Sequence, residues 1–373
     1  MDYRKKLFKT KNPYDISGTE GEFLTAMRRN AEFHIANAPE YARICASEGF
    51  SPEMLKTPDD LKYIPPIPTL YYKRNKLYSM PDSRFMVHAT SSGTRGVHSE
   101  IRFEFRALIN DAHMVLNTTK YHGILSPVPV NYIILGYKAT KNNRMGVAKT
   151  ALLSTFYAPA LSRSYAIKET PAGFEVDFEG IYKALEKCAK SPFPTRFMSF
   201  PSYTLMMLKE MERMGIKLNL RPNSRYLLGG GWKQFFTERV DKSELYDRIH
   251  DRLGIPEKNC TELFGAVEHP ILYCDCPNHH FHVPVYSRLL VRDVDTLEAL
   301  PMGSAGIANF LTPMLESMPL LSIMTDDLCV LRDGRECGCG IESPYFEILG
   351  RVGVTDIKTC TAGAEDILRG GAQ

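Results

Sequence analysis

The sequence predicts an α/β protein built around a largely parallel sheet, and three observations lead to this prediction. From Phe85 to about Glu262, short strand-like runs alternate with amphipathic helical stretches. After Glu262 the runs become more β-like, which indicates a β-rich subdomain. The 373 residues are enough for one large domain with accessory elements. Alternation of this kind is typical of proteins in which helices connect the strands of a parallel sheet.

The N-terminal part is predicted to be helical. Apolar residues from Phe23 to Ile35 recur near helical spacing and predict a helix over about 21–46. Three prolines between 65 and 68 then break regular structure and predict an extended connection over 64–70. We therefore expect residues 1–80 to form a helical N-terminal segment.

The rest of the chain divides into three further expected segments. Strands are predicted at 85–89, 131–135, 196–199 and 225–228, and helices at 107–121, 178–189 and 203–214. Later strands are predicted at 271–273, 285–291, 320–324 and 346–348. The last residues carry three glycines and little core material. We expect an α/β domain at 81–260, a β-rich subdomain at 261–352 and a mobile tail at 353–373 that carries Cys360.

Composition and charge exclude several classes of protein. The chain is 44% hydrophobic and 24% charged, and its formal net charge of +3 does not favour nucleic acid or membrane surfaces. No apolar run approaches the roughly 20 residues that span a bilayer. The first residues are basic, but the apolar stretch that a secretory signal requires does not follow them. Nine cysteines, several of them clustered, suit a reducing compartment with metal or thiol chemistry. We expect a cytoplasmic protein with no membrane span and no nucleic-acid partner.

A loop rich in glycine and hydroxyl groups follows the predicted strand 85–89. Its residues are Ser91, Ser92, Gly93, Thr94, Arg95 and Gly96. The glycines let successive N–H groups face one anion, and the hydroxyl and guanidinium groups add donors suited to phosphate. It is not a Walker A loop, because no Gly-Lys-Ser/Thr sequence ends it. Taken alone, such a loop is more often an ordinary strand-to-helix turn, so its meaning depends on the motifs that follow.

Four further motifs follow this loop in a fixed order. They are Gly229-Gly230-Gly231-Trp232-Lys233, Phe264-Gly265-Ala266-Val267-Glu268, Thr325-Asp326-Asp327 and Gly350-Arg351. In this order the set resembles the adenylate-forming superfamily, which includes acyl-CoA ligases and phenylacetate–CoA ligases. With His282-Val283-Pro284 and Lys358-Thr359-Cys360 it is similar, more narrowly, to the LuxE-type acyl-protein synthetases. The resemblance runs from about Tyr63 to Cys360, and Val267 stands where the wider superfamily usually has Thr.

The resemblance implies the large N-terminal domain of the adenylate-forming fold, with 81–260 binding nucleotide and acid. It also implies ATP and Mg²⁺, because a carboxylate must be converted to an acyl-adenylate before transfer. The resemblance implies that the loop from Ser91 to Gly96 contacts the β- and γ-phosphates and that Glu268 holds Mg²⁺. It implies that adenine lies beside Gly229, Gly230 and Gly231 and is flanked by Phe264 and Gly265. It also implies that Asp327 binds the ribose hydroxyls and that Arg351 contacts ribose or phosphate. Arg95 and Glu268 would be catalytic, because they would hold phosphates and metal in line.

Each of these residues also has a plain structural explanation. Taken alone, Phe264 is better explained by an ordinary core position, and Glu268 is equally well explained by a solvated surface acid. The glycine triplet is equally compatible with a bulged strand end. It is the joint occurrence of the motifs in order that favours a nucleotide site.

The resemblance also implies where the acyl group goes. Acyl-CoA ligases carry a small C-terminal lid domain after the Gly-Arg motif, whereas this sequence ends 22 residues after Arg351, so we expect the lid to be absent. In LuxE-type proteins a cysteine near the C-terminus takes the acyl group as a thioester, and Cys360 matches it, with Lys358 close before it. A neighbouring cation lowers a thiol pKa and favours the nucleophilic thiolate. A lone cysteine in a tail would otherwise have no assigned role.

Two cysteine-rich turns suggest a structural zinc site. Cys-x-Cys pairs beside glycine or proline suit tetrahedral thiolate coordination. The resemblance to some phenylacetate–CoA ligases implies three cysteines and one histidine. The expected ligands are Cys276, His282, Cys337 and Cys339, with Cys274 or His280 as substitutes. His282 also belongs to the His-Val-Pro motif, so a role in the active site stays open, as does a loose group of reduced thiols without metal.

The sequence therefore favours ATP-dependent activation of a carboxylic acid, by family a fatty acid, and its transfer to a protein thiol. The resemblance implies a partner acyl reductase that receives the acyl group. One alternative is an acid–CoA ligase that works without its lid, and another is a non-catalytic nucleotide-binding or scaffold protein. The residues do not identify the acid, its chain length or the oligomeric state.

Overall fold

A computed structural model describes residues 2–90, 99–138, 151–170, 173–230 and 240–351. The chain divides into two compact units. The first combines the chain up to Tyr121 with the chain from Gly265 onward, and the second is His122–Phe264. The four consecutive segments expected from the sequence stay a prediction.

Helices and strands alternate along most of the described chain. The helices are Lys5–Phe8, Ile16–Asn37, Pro39–Ser47, Thr69–Arg74, Phe105–Tyr121, Phe178–Lys190, Pro201–Arg213 and Lys242–Leu253, with short 3-10 turns at Pro52–Met54, Pro58–Tyr63, Asp82–Arg84, Glu257–Asn259 and Gly334–Cys337. The strands are β1 (Ile67–Pro68), β2 (Phe85–Thr90), β3 (Glu100–Glu104), β4 (Val130–Tyr137), β5 (Ala160–Thr170), β6 (Gly173–Val176), β7 (Thr195–Ser199), β8 (Arg225–Gly229), β9 (Cys260–Phe264), β10 (Tyr273–Cys274), β11 (Phe281–His282), β12 (Arg288–Arg292), β13 (Ala305–Leu311), β14 (Ser322–Arg332) and β15 (Tyr345–Arg351).

The second unit is the predicted parallel α/β part. Its strands pair in the order β9-β8-β7-β4-β5-β6, parallel except for the β5–β6 pair. The core between the sheet and its helices buries apolar side chains from both, including Leu185, Phe197, Leu208, Tyr226 and Ile249. The prediction of an α/β fold is confirmed. Because parallel strands share a direction, the carboxyl ends of β8 and β9 lie at one edge of this sheet.

The first unit contains an antiparallel sheet in the order β11-β15-β14-β13-β12, and β1 adds to β14 in parallel. β2 and β3 form a separate antiparallel pair. The predicted strand at 285–291 was misplaced, since the strand runs Arg288–Arg292 and 285–286 form a turn. β10 likewise begins only at Tyr273.

The single helix predicted over 21–46 was wrong. Two helices occupy this region, separated at Ala38, which has an extended backbone with φ −126° and ψ 92°. Pro39 causes the break, because its ring excludes the helical conformation at the preceding residue. Pro39 is also well placed as a first helical residue, where no N–H is needed. The extended connection predicted over 64–70 ends at Pro68, where the helix Thr69–Arg74 begins.

The start of the chain is fixed inside the first unit by a buried guanidinium. Arg4 is fully buried, and its Nη1 donates to Glu104 Oε1 at 2.9 Å and to the Met314 carbonyl at 2.7 Å. Its Nη2 lies 3.3 Å from Glu316 Oε2. Glu104 also accepts the N–H groups of Glu316 and Ser317, so this carboxylate is held by the backbone as well as by the guanidinium.

Candidate functional site

Asp327 and Arg351 form an ion pair in the first unit. They face each other across β14 and β15, and Arg351 Nε donates to Asp327 Oδ1 at 2.8 Å. Asp327 is buried, whereas the Arg351 side chain is 56% exposed and keeps donors available to a ligand. Burial acts to lower the pKa of Arg351, but Asp327, helped by Asp326 and Glu268, outweighs it and raises that pKa. The pair therefore presents a fixed carboxylate beside an accessible cation.

Glu268 lies close enough to contribute to the electrostatics of Arg351, although the two are distant in sequence. Its side chain is buried, which excludes the solvated surface acid considered from the sequence. The turn that holds it is tight: the His269 N–H donates to the Ala266 carbonyl at 3.1 Å. At Gly265 an added Cβ would lie 3.1 Å from the Ile271 carbonyl oxygen, so a larger residue would press on this turn. The structure thus brings three predicted site residues of the first unit, Glu268, Asp327 and Arg351, into one neighbourhood.

Next to Glu268 lies a buried polar network that was not predicted from the sequence. His269 Nε2 lies 2.9 Å from the Tyr273 hydroxyl and 3.1 Å from Ser287 Oγ, and Tyr273 donates to Ser287 at 2.7 Å. The His269 ring also stacks on Phe310 with centroids 4.9 Å apart. Burial lowers the pKa of His269 to about 3, so this ring is neutral near pH 7. The network anchors the residue that follows Glu268, and only tertiary packing reveals it.

The second unit carries three more of the predicted nucleotide-contacting residues, Gly229, Gly230 and Phe264. Gly229 ends β8, and an added Cβ would lie 3.4 Å from the Leu263 carbonyl oxygen. Gly230 has a positive φ of 76°, which favours glycine. Phe264 ends the neighbouring strand β9 and is half-buried. These residues lie at the carboxyl edge of the parallel sheet, where ligands bind in open α/β sheets.

Several predicted site residues lie outside the described part of the chain. They are Ser91, Ser92, Gly93, Thr94, Arg95 and Gly96 of the phosphate loop, Gly231, and Lys358 and Cys360 of the C-terminal segment. Their assigned roles stay predictions.

Four side chains expected to bind zinc come together in the first unit. One donor atom from each of Cys276, His282, Cys337 and Cys339 lies within 4.8 Å of the others. Cys276 Sγ and Cys337 Sγ are 3.5 Å apart, and Cys339 Sγ is 3.2 Å from His282 Nε2. We call these four residues the Cys₃His cluster. Burial, with the neighbouring thiols of Cys339 and Cys276, raises the pKa of Cys337 to about 12, so a thiolate here needs a cation beside it.

The backbone around the Cys₃His cluster orients its donors. His282 Nδ1 lies 2.7 Å from the Ser343 carbonyl oxygen, so Nδ1 carries the proton and Nε2 faces Cys339. The Cys337–Gly340 turn passes through two glycines with positive φ, Gly338 at 72° and Gly340 at 88°. Asn278 Nδ2 donates to the Cys337 carbonyl at 2.6 Å and ties the two cysteine turns together.

The two expected substitutes lie outside the Cys₃His cluster. His280 places Nδ1 3.2 Å from Cys337 Sγ, but its ring stacks on Tyr345 with centroids 4.4 Å apart. Cys274 is fully buried on β10, and burial raises its pKa well above the ordinary value. His282 lies with the cysteines, which favours its metal-ligand role over the alternative role in the active site.

The sequence matches one family model over most of its length. The family is described as acyl-protein synthetase, LuxE, and the match covers residues 6–368. The long-chain-fatty-acid–luciferin-component ligase of Aliivibrio fischeri is 24% identical over 347 residues, 90% of this chain and 86% of that protein. The corresponding Vibrio harveyi ligase is 24% identical, over 88% of this chain and 83% of that protein. A phenylacetate-coenzyme A ligase of Aromatoleum evansii is 31% identical over 140 residues, 36% of this chain and 29% of that protein.

Solved structures of other proteins have a fold similar to that of this chain. A 2-hydroxyisobutyryl-CoA ligase in complex with 2-HIB-AMP and CoA, in an open conformation, superposes with a TM-score of 0.67 at 15% identity, over 94% of this chain and 78% of that one. The same enzyme in its postadenylation state with 2-HIB-AMP gives a TM-score of 0.65 at 15% identity, over 92% and 70% of the two chains. At this identity the likeness shows the fold alone. Within the described residues, no helix combines the length and apolarity needed to cross a membrane.

Proposed function

Since this chain belongs to the LuxE family of acyl-protein synthetases, we propose that it activates a long-chain fatty acid with Mg-ATP and transfers the acyl group to a protein thiol. The family assignment and the ligase class predicted from the sequence are thereby confirmed. The observation that carries the proposal is the neighbourhood of Glu268, Asp327 and Arg351, three residues from separate motifs of the sequence. Charged groups that converge in this way suit a nucleotide with its metal.

The first step is the attack of a fatty carboxylate on the α-phosphate of ATP. A bond forms between the carboxylate oxygen and phosphorus, the bond to pyrophosphate breaks, and an acyl-adenylate results. Asp327 would accept hydrogen bonds from the ribose hydroxyls, and Arg351 would contact ribose or phosphate from its exposed side. Glu268 would hold Mg²⁺, which offsets the negative charge of the phosphates. The loop from Ser91 to Gly96 would bind the β- and γ-phosphates, with Arg95 supplying a fork of donors.

The second step transfers the acyl group to sulfur. The thiolate of Cys360 would attack the acyl carbon, AMP would leave, and a thioester would form. Lys358 is close enough in sequence to favour the thiolate electrostatically. The family is described as acyl-protein synthetase, which supports a protein acceptor rather than a small-molecule thiol. We propose that an acyl reductase then takes the acyl group from the thioester.

We further propose that the Cys₃His cluster binds a structural Zn²⁺. Zinc–sulfur bonds of about 2.3 Å in a tetrahedron place two sulfurs about 3.8 Å apart. The 3.5 Å between Cys276 Sγ and Cys337 Sγ fits this arrangement. Because His282 carries its proton on Nδ1, its Nε2 has the lone pair that binds a metal. The ion would crosslink the turn at 274–282 to the turn at 337–340, and it would take no part in acyl transfer.

The test of the ligase proposal is intact-protein mass spectrometry after incubation with Mg-ATP and fatty acids of graded chain length. We expect a mass increase of one acyl group that hydroxylamine removes and that Cys360→Ala abolishes. AMP release that requires added CoA, without a protein adduct, would instead identify an acid–CoA ligase. Absence of both adduct and AMP release with every acid would support the scaffold alternative.

A further inference from the structure

A row of arginines crosses the sheet of the second unit at the amino ends of its strands. Arg163 on β5, Tyr132 on β4, Arg196 on β7 and Arg225 on β8 are successive register partners. Register partners on neighbouring strands direct their side chains to the same face of a sheet. We call these four residues the arginine row. It gathers three positive charges around one phenol, at the opposite end of β8 from Gly229.

Within the described residues, the guanidinium groups of the arginine row have no acidic partner. Among the residues that the structure describes, none of Arg163, Arg196 and Arg225 has a carboxylate oxygen within the 4.0 Å of an ion pair. Arg163 Nε instead donates to Thr155 Oγ1 at 2.8 Å. Arg196 is only 3% exposed, and its buried Nη1 has no hydrogen-bond partner in the part of the chain that the structure describes.

This arrangement is unfavourable without a counterion. Burial lowers the pKa of Arg196, and Arg225 lowers it further, although the hydroxyl of Tyr132 opposes the shift. Burial also lowers the pKa of Arg225. A buried cation without a compensating anion costs folding free energy, and a second cation beside it adds to the cost. An anion bound to the row would remove both penalties and would satisfy the buried Nη1 donor.

The row is reachable from solvent at Arg163 and Arg225. Arg163 is exposed and Arg225 is half-buried, so the row meets solvent on both sides of Arg196. Gly123, with φ +61°, borders it, and an added Cβ there would lie 3.2 Å from Arg225 Nη2. A side chain at this position would press on that guanidinium, so a glycine here permits the close approach of the backbone.

We propose that the arginine row binds a phosphate-bearing anion. Guanidinium groups are planar forks whose paired N–H donors match phosphate oxygens, and two of them side by side supply enough donors for three oxygens. The group could arrive as free inorganic phosphate or as the phosphate of a nucleotide, and both present the same oxygens. This site is separate from the proposed ATP site, because Arg225 and Gly229 lie at opposite ends of β8, four residue steps or roughly 13 Å apart along the strand.

The test measures phosphate binding by the full-length protein with isothermal titration calorimetry and thermal unfolding. The probes are inorganic phosphate, adenosine 3′,5′-bisphosphate, and adenosine as the control without phosphate. We expect saturable binding of a phosphate probe that Arg225→Gln weakens at least tenfold. Arg221→Gln is the matched control, because Arg221 is an exposed arginine of the same unit outside the row. Arg95→Ala, which removes a cation of the proposed ATP site, should leave this binding intact.

Arg196→Met supplies an independent readout. It should raise the unfolding temperature in phosphate-free buffer, because it removes a buried cation, and it should abolish the rise that phosphate gives the wild type. Should this variant not fold, Arg225→Gln decides alone. Saturation by inorganic phosphate identifies the free anion as the ligand, and saturation by the bisphosphate alone identifies a nucleotide. The proposal is wrong if the wild type binds neither probe, or if Arg225→Gln binds as tightly as Arg221→Gln.

Discussion

Arg351 and Asp327 meet across the last two strands of the antiparallel sheet, with Nε 2.8 Å from Oδ1 and the arginine largely open to solvent. The carboxylate is held in place by the protein and is still adjacent to a group that a ligand can reach. This relationship makes Asp327 the described residue whose change should affect nucleotide binding most directly.

We predict that Asp327→Asn raises the KM for ATP roughly 10- to 100-fold, because a hydrogen bond to a charged group contributes about 1.5–3 kcal/mol. The measurement is pyrophosphate release at graded ATP concentrations. Asp326→Asn is the control, since Asp326 is exposed on the same strand. If both variants keep the wild-type KM, Asp327 does not contact the nucleotide.

We predict that the purified protein contains one zinc per chain and that Cys337→Ser loses it. Loss of the ion would leave the two cysteine turns uncrosslinked and lower the unfolding temperature. The measurement is elemental analysis by inductively coupled plasma mass spectrometry, with thermal unfolding before and after chelation. Cys274→Ser is the matched control, because Cys274 belongs to the same turn but not to the Cys₃His cluster. Zinc retained by Cys337→Ser and lost from Cys274→Ser would overturn the ligand set.

We predict that the stability of the protein falls as the pH drops below about 6.5, in part because of two buried histidines. Burial lowers the pKa values of His34 and His269 to about 3, against an ordinary 6.5. Between these values the unfolded chain binds a proton that the folded chain does not, so each ring costs about 1.4 kcal/mol per pH unit as the pH falls. Urea unfolding at pH 7 and pH 5 measures this difference.

Substitution of His269 isolates the contribution of this ring to the pH dependence of stability. His269→Gln should lower stability at pH 7, because the network with Tyr273 and Ser287 is lost, but it should reduce the further loss between pH 7 and pH 5. His250→Gln, on an exposed helix position, should keep the wild-type pH dependence. An unchanged slope in His269→Gln would show that this histidine is protonated in the folded protein.

We predict that Arg4→Met destabilises the protein by about 3–5 kcal/mol, because it leaves Glu104 and Glu316 buried without their cation. The free energy of unfolding in urea measures the effect. Arg213→Met removes an exposed ion pair with Glu210 and should change stability little. Equal effects of the two substitutions would show that the buried carboxylates become protonated or solvated at no net cost.

The sequence predicts the motif-bearing parts of this protein better than its packing. A zinc site was predicted from two Cys-x-Cys pairs beside glycine or proline, and its set of three cysteines and one histidine from the resemblance to some phenylacetate–CoA ligases. The fold places the expected four residues together. The parallel sheet was predicted because strands buried by helices on a sheet give short apolar runs between amphipathic stretches. The neighbourhood of Glu268 with Arg351 followed from ordered motifs rather than from any local pattern.

Other features could not be predicted, for physical reasons. The break at Ala38 depends on one proline, whose effect the helical spacing of the surrounding residues conceals. The hydrogen bonds of His269 depend on partners that only tertiary structure brings near it. The arginine row depends on strand register, and a single sequence gives no information on which residues of separate strands lie side by side.

The division of the chain has a consequence for its synthesis. The second unit, His122–Phe264, is one continuous stretch, so all of its strands have left the ribosome before the first unit can be completed. β1, by contrast, pairs with β14 and stays without its partner until that late strand emerges. Arg4 likewise has no Glu316 to pair with until that later residue has been synthesised. Arg4 and β1 thus reach their native contacts only after much of the later chain has been made, and a nascent chain halted before β14 lacks both residues of the Asp327–Arg351 pair.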